Sequence, residues 1–203
     1  MKAILLALTL ITPAFAVNFD ADGFGQQLNG WAKNRTATYE FTDATYRTYV
    51  PTITATPGGG MYISTQVDML AFGSQGAVSH IDMTFDASGV LISAQLRSTI
   101  GRKSIDTGLV RRPEAPAAPI AVEGQPTPTA PAFDGTGELI MDLFSRFDIE
   151  MKKITEGKDA EKRDLFSRFG GKNAKSVNLA AALRHNVNLM LQHVSPRGYA
   201  SYK

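Results

Sequence analysis

The spacing of apolar residues changes once along this chain, and this change restricts the fold more than any other feature. Between residues 61 and 100, apolar and polar residues alternate with a period of two, which predicts strands that bury one face. After residue 140, apolar residues recur three or four positions apart, which predicts helices. A block of strands followed by a block of helices is typical of the α+β class.

The strand-forming block predicts an antiparallel meander of four or five strands. Its runs lie at residues 39–41, 45–55, 61–71, 80–85 and 92–100. Residues 74–76 and 86–89 each end in glycine and predict hairpin turns between the last three runs. The resulting sheet has one apolar face, which must be covered.

Helices are predicted on both sides of the meander. Phe24, Leu28 and Trp31 fall at i, i+4 and i+7, so a short N-terminal helix is expected to bury the only tryptophan in the core. Two or three helices follow later: one contains the 4-3-4-3 apolar spacing from Ile140 to Ile154, a shorter one spans residues 159–169, and the last spans residues 174–194.

The predicted organisation has four parts. Residues 1–16 form a signal peptide, 17–112 the helix and antiparallel sheet, 113–132 a proline-rich linker, and 133–203 the helical segment. One short helix cannot cover a sheet of this size, so the C-terminal helices are expected to pack back on its apolar face.

The first sixteen residues predict export. Met1-Lys2 precede an apolar run that ends at Ile11, and Ala14-Phe15-Ala16 form a cleavage signal. The chain contains no cysteine, so neither a lipid anchor nor a disulfide is expected, and no apolar run is long enough for a transmembrane helix. We therefore expect a secreted or periplasmic protein of a bacterial envelope.

Motifs for catalysis and cofactors are missing from the sequence. It lacks a cysteine nucleophile, a Gly-x-Ser-x-Gly elbow, a phosphate-binding loop and the ligand spacings typical of zinc or calcium sites. This pattern favours a non-catalytic binding or scaffold protein without a cofactor. Its expected partner is an envelope or extracellular protein, for example in a pilus or secretion apparatus, and no nucleic acid is expected.

One group of residues supports an alternative, a secreted hydrolase with acid/base groups. If residues 74–76 form the turn, Asp68 lies opposite Asp82 on the polar face of the sheet, and a shifted register sets Asp68 opposite His80. Opposed carboxylates beside an imidazole could share a proton or hold a cation. The competing interpretation is that Asp68, His80 and Asp82 are ordinary polar residues of an outward sheet face.

A repeated hexapeptide provides a second set of candidates. The sequence of residues 142–147 recurs at 164–169. The two copies could present Phe144, Arg146 and Phe147, and Phe166, Arg168 and Phe169, to a partner protein or to a membrane surface. In the alternative interpretation, the phenylalanines of each copy are buried in a helical hairpin.

The C-terminal region is basic, because no acidic residue follows Asp164. Its cations are Arg168, Lys172, Lys175, Arg184, Arg197 and Lys203. They could bind anionic lipid or another polyanion, or they could form a solvated helix face.

Overall fold

A computed structural model describes residues 17–41, 44–71, 74–113, 135–156 and 174–195. The predicted signal peptide, residues 114–132 of the predicted linker, the short helix predicted at 159–169 and the second hexapeptide copy lie outside the described residues.

An eight-stranded antiparallel sheet dominates the fold. Its strands are β2 (Thr36–Phe41), β3 (Ala44–Tyr49), β4 (Thr52–Ala55), β5 (Met61–Ala71), β6 (Ser74–Phe85), β7 (Leu91–Ile100), β8 (Lys103–Asp106) and β9 (Val110–Arg111). The order is β2-β3-β5-β6-β7-β8, with β4 paired to β5 and β9 paired to β7. The meander is therefore six positions wide, somewhat wider than predicted, and the predicted α+β class is confirmed.

Local chemistry explains two features of the meander. The predicted run at 45–55 is divided into β3 and β4 at Val50-Pro51, because proline has no N–H to donate to a sheet ladder. The predicted turn at 86–89 is confirmed: the Asp86 carboxylate accepts hydrogen bonds from the backbone N–H groups of Ser88 and Val90, and Gly89 has a positive φ of 85°.

Four helices accompany the sheet in the part of the chain that the structure describes. They are α1 (Ala21–Gln27), α2 (Trp31–Asn34), α3 (Thr136–Glu156) and α4 (Ala174–His193). The N-terminal helix is divided in two because Asn29 and Gly30 adopt left-handed conformations, with φ of 50° and 86°. Within the described ranges, no helix is long and apolar enough to cross a membrane.

The helices and one face of the sheet share a single hydrophobic core. Trp31 is buried there as predicted, together with rings from the sheet and from α3 such as Phe85 and Phe147. Burial of each large apolar side chain contributes about 1.5–3 kcal/mol relative to exposure. The apolar stripes of α3 and α4 thus cover the sheet face that the alternation predicts to be buried.

A buried polar contact fixes α4 against the sheet. The Asn186 side chain is fully buried; its oxygen accepts a hydrogen bond from the Thr48 hydroxyl at 2.9 Å, and its amide nitrogen donates to the Tyr39 hydroxyl and to the Ala182 carbonyl. A buried amide with all of these partners specifies one position of the helix on β2 and β3.

The two ends of the described chain meet beside α1. A two-stranded ladder pairs β1 (Asn18–Phe19) with β10 (Val194–Ser195). The Asp20 carboxylate caps α1 at Gly23 and lies 3.3 Å from Nδ1 of His193, whose Nε2 is 2.8 Å from the Gln27 amide nitrogen. The Gln27 amide donates to Nε2, so the imidazole proton lies on Nδ1, toward Asp20.

Candidate functional site

The sheet face that points away from the helices is polar across its centre, and we call it the open face. Its residues form two neighbouring cross-strand rows, Gln66, His80, Arg97 and Asp106 in one and Ser64, Asp82 and Gln95 in the other, with Tyr49, Tyr62 and Asp68 beside them. The core contacts of α3 and α4 lie on the other face, and no described helix packs on the open face.

The register of β5 and β6 differs from both predicted registers. Asp68 lies opposite Val78, and Asp82 lies opposite Ser64. The predicted turn at 74–76 is wrong: these residues belong to β6, and the chain reverses between Ala71 and Ser74. The positions of Asp68 and Asp82 are thus four residues apart along the strands, about 13 Å. The two carboxylates do not share a proton.

Asp82 is an ionised carboxylate held by three donors. It is 7% exposed; one oxygen accepts hydrogen bonds from the Tyr62 hydroxyl at 2.8 Å and the Ser64 hydroxyl at 2.6 Å, and the other accepts from the Arg97 guanidinium at 2.6 Å. Burial raises the pKa of Asp82, but the hydrogen bonds from Ser64, Tyr62 and Arg97, with the charge of Arg97, outweigh it and leave the pKa below its ordinary value.

Asp68 has a similar environment on the neighbouring strand pair. It is 2% exposed, and its two oxygens accept hydrogen bonds from the Tyr49 hydroxyl at 3.0 Å and from the Gln66 amide at 2.8 Å. The position of Arg47 on β3 faces Asp68 directly. Each buried aspartate therefore accepts a hydrogen bond from a tyrosine on the neighbouring strand, one cross-strand row away.

His80 lies between the two aspartates, and it contacts neither of them through a hydrogen bond within the described ranges. It is half-buried and sits between Gln66 and Arg97 in its cross-strand row. A role for His80, Asp68 or Asp82 as a general acid or base stays a prediction.

The chemistry of the open face suits binding better than proton transfer. The hydrogen bonds from Ser64, Tyr62 and Arg97 lower the pKa of Asp82, so this carboxylate is not poised to exchange a proton near neutral pH. The part of the chain that the structure describes contains no group of three or more acidic or histidine side chains that could hold a metal ion.

The first hexapeptide copy lies on α3, and its phenylalanines belong to the core. Phe144 is 1% exposed and Phe147 is fully buried. Both rings of this copy are therefore buried, as the alternative interpretation expects, and Arg146 is its one exposed candidate residue. Arg146 is exposed and forms a bidentate ion pair with Asp142, one turn earlier on α3. Phe166, Arg168 and Phe169 lie outside the described residues.

A groove of about 570 Å³ runs between α3 and α4, and we call it the helix groove. Its lining residues are Ile140, Met141, Phe144, Ser145, Asp148, Ile149, Lys152, Arg184 and Asn188. Phe144, which is almost fully buried, contributes to its floor. Two large apolar side chains at the groove remain exposed, Met141 at 75% and Ile149 at 53%.

One ion pair joins the two walls of the helix groove. The Arg184 guanidinium donates to the Asp148 carboxylate at 3.0 Å and stacks over the Phe144 ring at 4.8 Å. The Asp148 carboxylate thus connects α3 to α4 through Arg184. Arg184 is the one cation of the predicted basic region whose side chain the structure describes, and it is engaged in this contact.

Sequence reasoning missed the helix groove and the two tyrosines of the open face. Met141 and Ile149 interrupt the polar side of an amphipathic helix, and this signal alone could have indicated an exposed apolar surface. Tyr49 and Tyr62 are ordinary strand residues by composition, and only the register shows that they reach buried carboxylates.

Comparison of the chain with protein-family models, with curated proteins and with solved structures found no match.

Proposed function

We propose that this chain is an exported, non-catalytic binding protein that holds a partner protein of the cell envelope or extracellular space in the helix groove. The observation that carries the proposal is the exposure of Met141 and Ile149 beside a groove that already has an apolar floor. Large apolar side chains are costly to leave in water, and adjacent ones at a concave surface are typical of interaction sites.

The shape and chemistry of the helix groove favour an amphipathic helix as the occupant. Met141, Ser145 and Ile149 recur every four residues along α3, with small Ser145 between two apolar side chains. Such a stripe can receive the apolar face of a second helix. The Asp148–Arg184 pair at the wall is half-exposed and offers both signs of charge to polar residues at the edge of that helix.

Export is the second part of the proposal, and the sequence of residues 1–16 supports it. The protein isolated from extracytoplasmic fractions should begin at Val17, and mass spectrometry measures this directly. A full-length chain that still begins at Met1 in every fraction would contradict export.

Site-specific photo-crosslinking in the native cells tests the groove. A photoreactive residue at position 141 should form one dominant adduct with another protein, identifiable by mass spectrometry. The matched control is position 146, which is also exposed on α3 but does not line the groove. Equal adducts from positions 141 and 146, or none from 141, would show that the groove is not the binding site.

A further inference from the structure

We propose that the open face binds a neutral carbohydrate chain, through tyrosine rings that stack on sugars and a neighbouring row of planar polar groups that bind sugar hydroxyls. This surface lies on the other side of the sheet from the helix groove, and the inference goes beyond the binding of a partner protein.

The first argument is an arrangement that occurs twice. Tyr49 on β3 donates to Asp68 on β5, and Tyr62 on β5 donates to Asp82 on β6. In both cases the aspartate is a diagonal neighbour, two residues from the position directly across. A tyrosine whose hydroxyl is tethered to a diagonal neighbour must lie along the sheet instead of standing upright from it. Both tyrosines are half-buried, so each side chain is partly accessible to solvent.

The second argument concerns a cross-strand row of polar groups that begins at Gln66, beside Tyr49. Gln66 and His80 face each other across β5 and β6, and Arg97 continues the row on β7. These amide, imidazole and guanidinium groups are planar and form hydrogen bonds in fixed directions. The His80 side chain has no hydrogen-bond partner among the described residues, and half of the Arg97 side chain is exposed. Sugar hydroxyls both donate and accept hydrogen bonds, so they match this mixed row.

The third argument is charge. The buried carboxylates of Asp68 and Asp82 are each matched by one arginine, Arg47 directly across from the former and Arg97 bonded to the latter. The central strands therefore present no excess of either sign. A polyanion would gain little attraction from such a surface, whereas a neutral, hydroxyl-rich ligand needs only stacking and hydrogen bonds.

A printed array of neutral and acidic oligosaccharides tests the proposal with the full chain. The protein should be retained on neutral oligosaccharides, and the double variant Tyr49→Ala/Tyr62→Ala should be retained at least about tenfold less, because two stacking rings are lost. The variant Tyr49→Phe/Tyr62→Phe keeps both rings and should lose less. Arg146→Ala, on the helix side, should bind like the unchanged protein, and circular dichroism verifies that each variant is folded.

Four outcomes would overturn the proposal. They are retention on no neutral oligosaccharide, retention on acidic oligosaccharides alone, undiminished retention of the Ala double variant, and a stable dimer that Tyr62→Ala dissociates. The last result would mean that a second copy of the chain covers the open face.

Discussion

At the scale of single residues, buried polar atoms decide how much each side chain contributes to stability. The Trp31 ring is buried, yet its indole N–H has no hydrogen-bond partner within the described ranges. The Asp82 carboxylate, by contrast, accepts three hydrogen bonds, from Tyr62, Ser64 and Arg97. A buried donor without a partner costs about 1–3 kcal/mol, and a satisfied carboxylate contributes to stability.

Replacement of Trp31 by Phe should therefore lower the free energy of unfolding less than is usual for so large a core residue. The ring volume lost costs stability, but the unpartnered N–H is removed with it. We expect Trp31→Ala to lower the free energy of unfolding by about 3–5 kcal/mol and Trp31→Phe by less than half of that. Urea unfolding followed by circular dichroism measures both, since neither variant retains tryptophan fluorescence. Similar losses in the two variants would contradict this account of Trp31.

Asp82 should make stability depend on pH in the acidic range. Its pKa is lower in the folded than in the unfolded chain, so its contribution is complete above the ordinary value of 3.8 and is lost as the pH falls through the lower folded value. Asp82→Asn should reduce stability at neutral pH, and the difference from the unchanged protein should shrink below pH 4. Asp142→Asn, at an exposed helix pair, is the control and should change stability little at either pH. A difference that stays constant with pH would contradict the assignment.

At the scale of elements, hydrophobic periodicity predicts most of the strands and helices but not their register. Alternation identifies β5, β6 and β7, and the 4-3-4-3 spacing identifies α3. Gly76 leads to the wrong prediction of a turn at 74–76, because a glycine after two polar residues is typical of a turn. In the structure Gly76 lies within β6. A register irregularity between Met69 and Leu70 shifts the pairing by one residue. The displaced turn separates Asp68 from Asp82, and the irregularity moves the pairing one residue back toward the predicted register, which leaves the two positions four residues apart along the strands.

The position of α4 on the sheet should depend on Asn186. Asn186→Leu leaves the hydroxyls of Thr48 and Tyr39 without this buried partner, so we expect a loss of about 1–3 kcal/mol in the free energy of unfolding. Asn188→Leu, two residues further on the same helix but exposed, is the control and should stay within about 0.5 kcal/mol. Chemical denaturation of both variants measures this, and equal effects would show that the buried amide is dispensable.

At the scale of the whole molecule, the sheet separates two surfaces with different chemistry. One side carries the helices and the helix groove with its exposed Met141 and Ile149, and the other carries the open face with its tethered tyrosines. The groove joins Phe144 to Arg184, residues 40 positions apart in sequence. A pattern with a period of three or four residues cannot predict such a contact, so the groove emerges only from the packing of α3 on α4.

The central claim is that a partner protein binds in the helix groove. The most direct test compares the yield of crosslinked adduct from a photoreactive residue at position 141 with and without a substitution at Ile149. Ile149→Lys places a charge in the apolar wall and should reduce the yield about tenfold or more, because the lysine must be desolvated when the partner binds. Ile149→Leu keeps the apolar surface and should retain most of the yield. An undiminished yield with Ile149→Lys would contradict the claim.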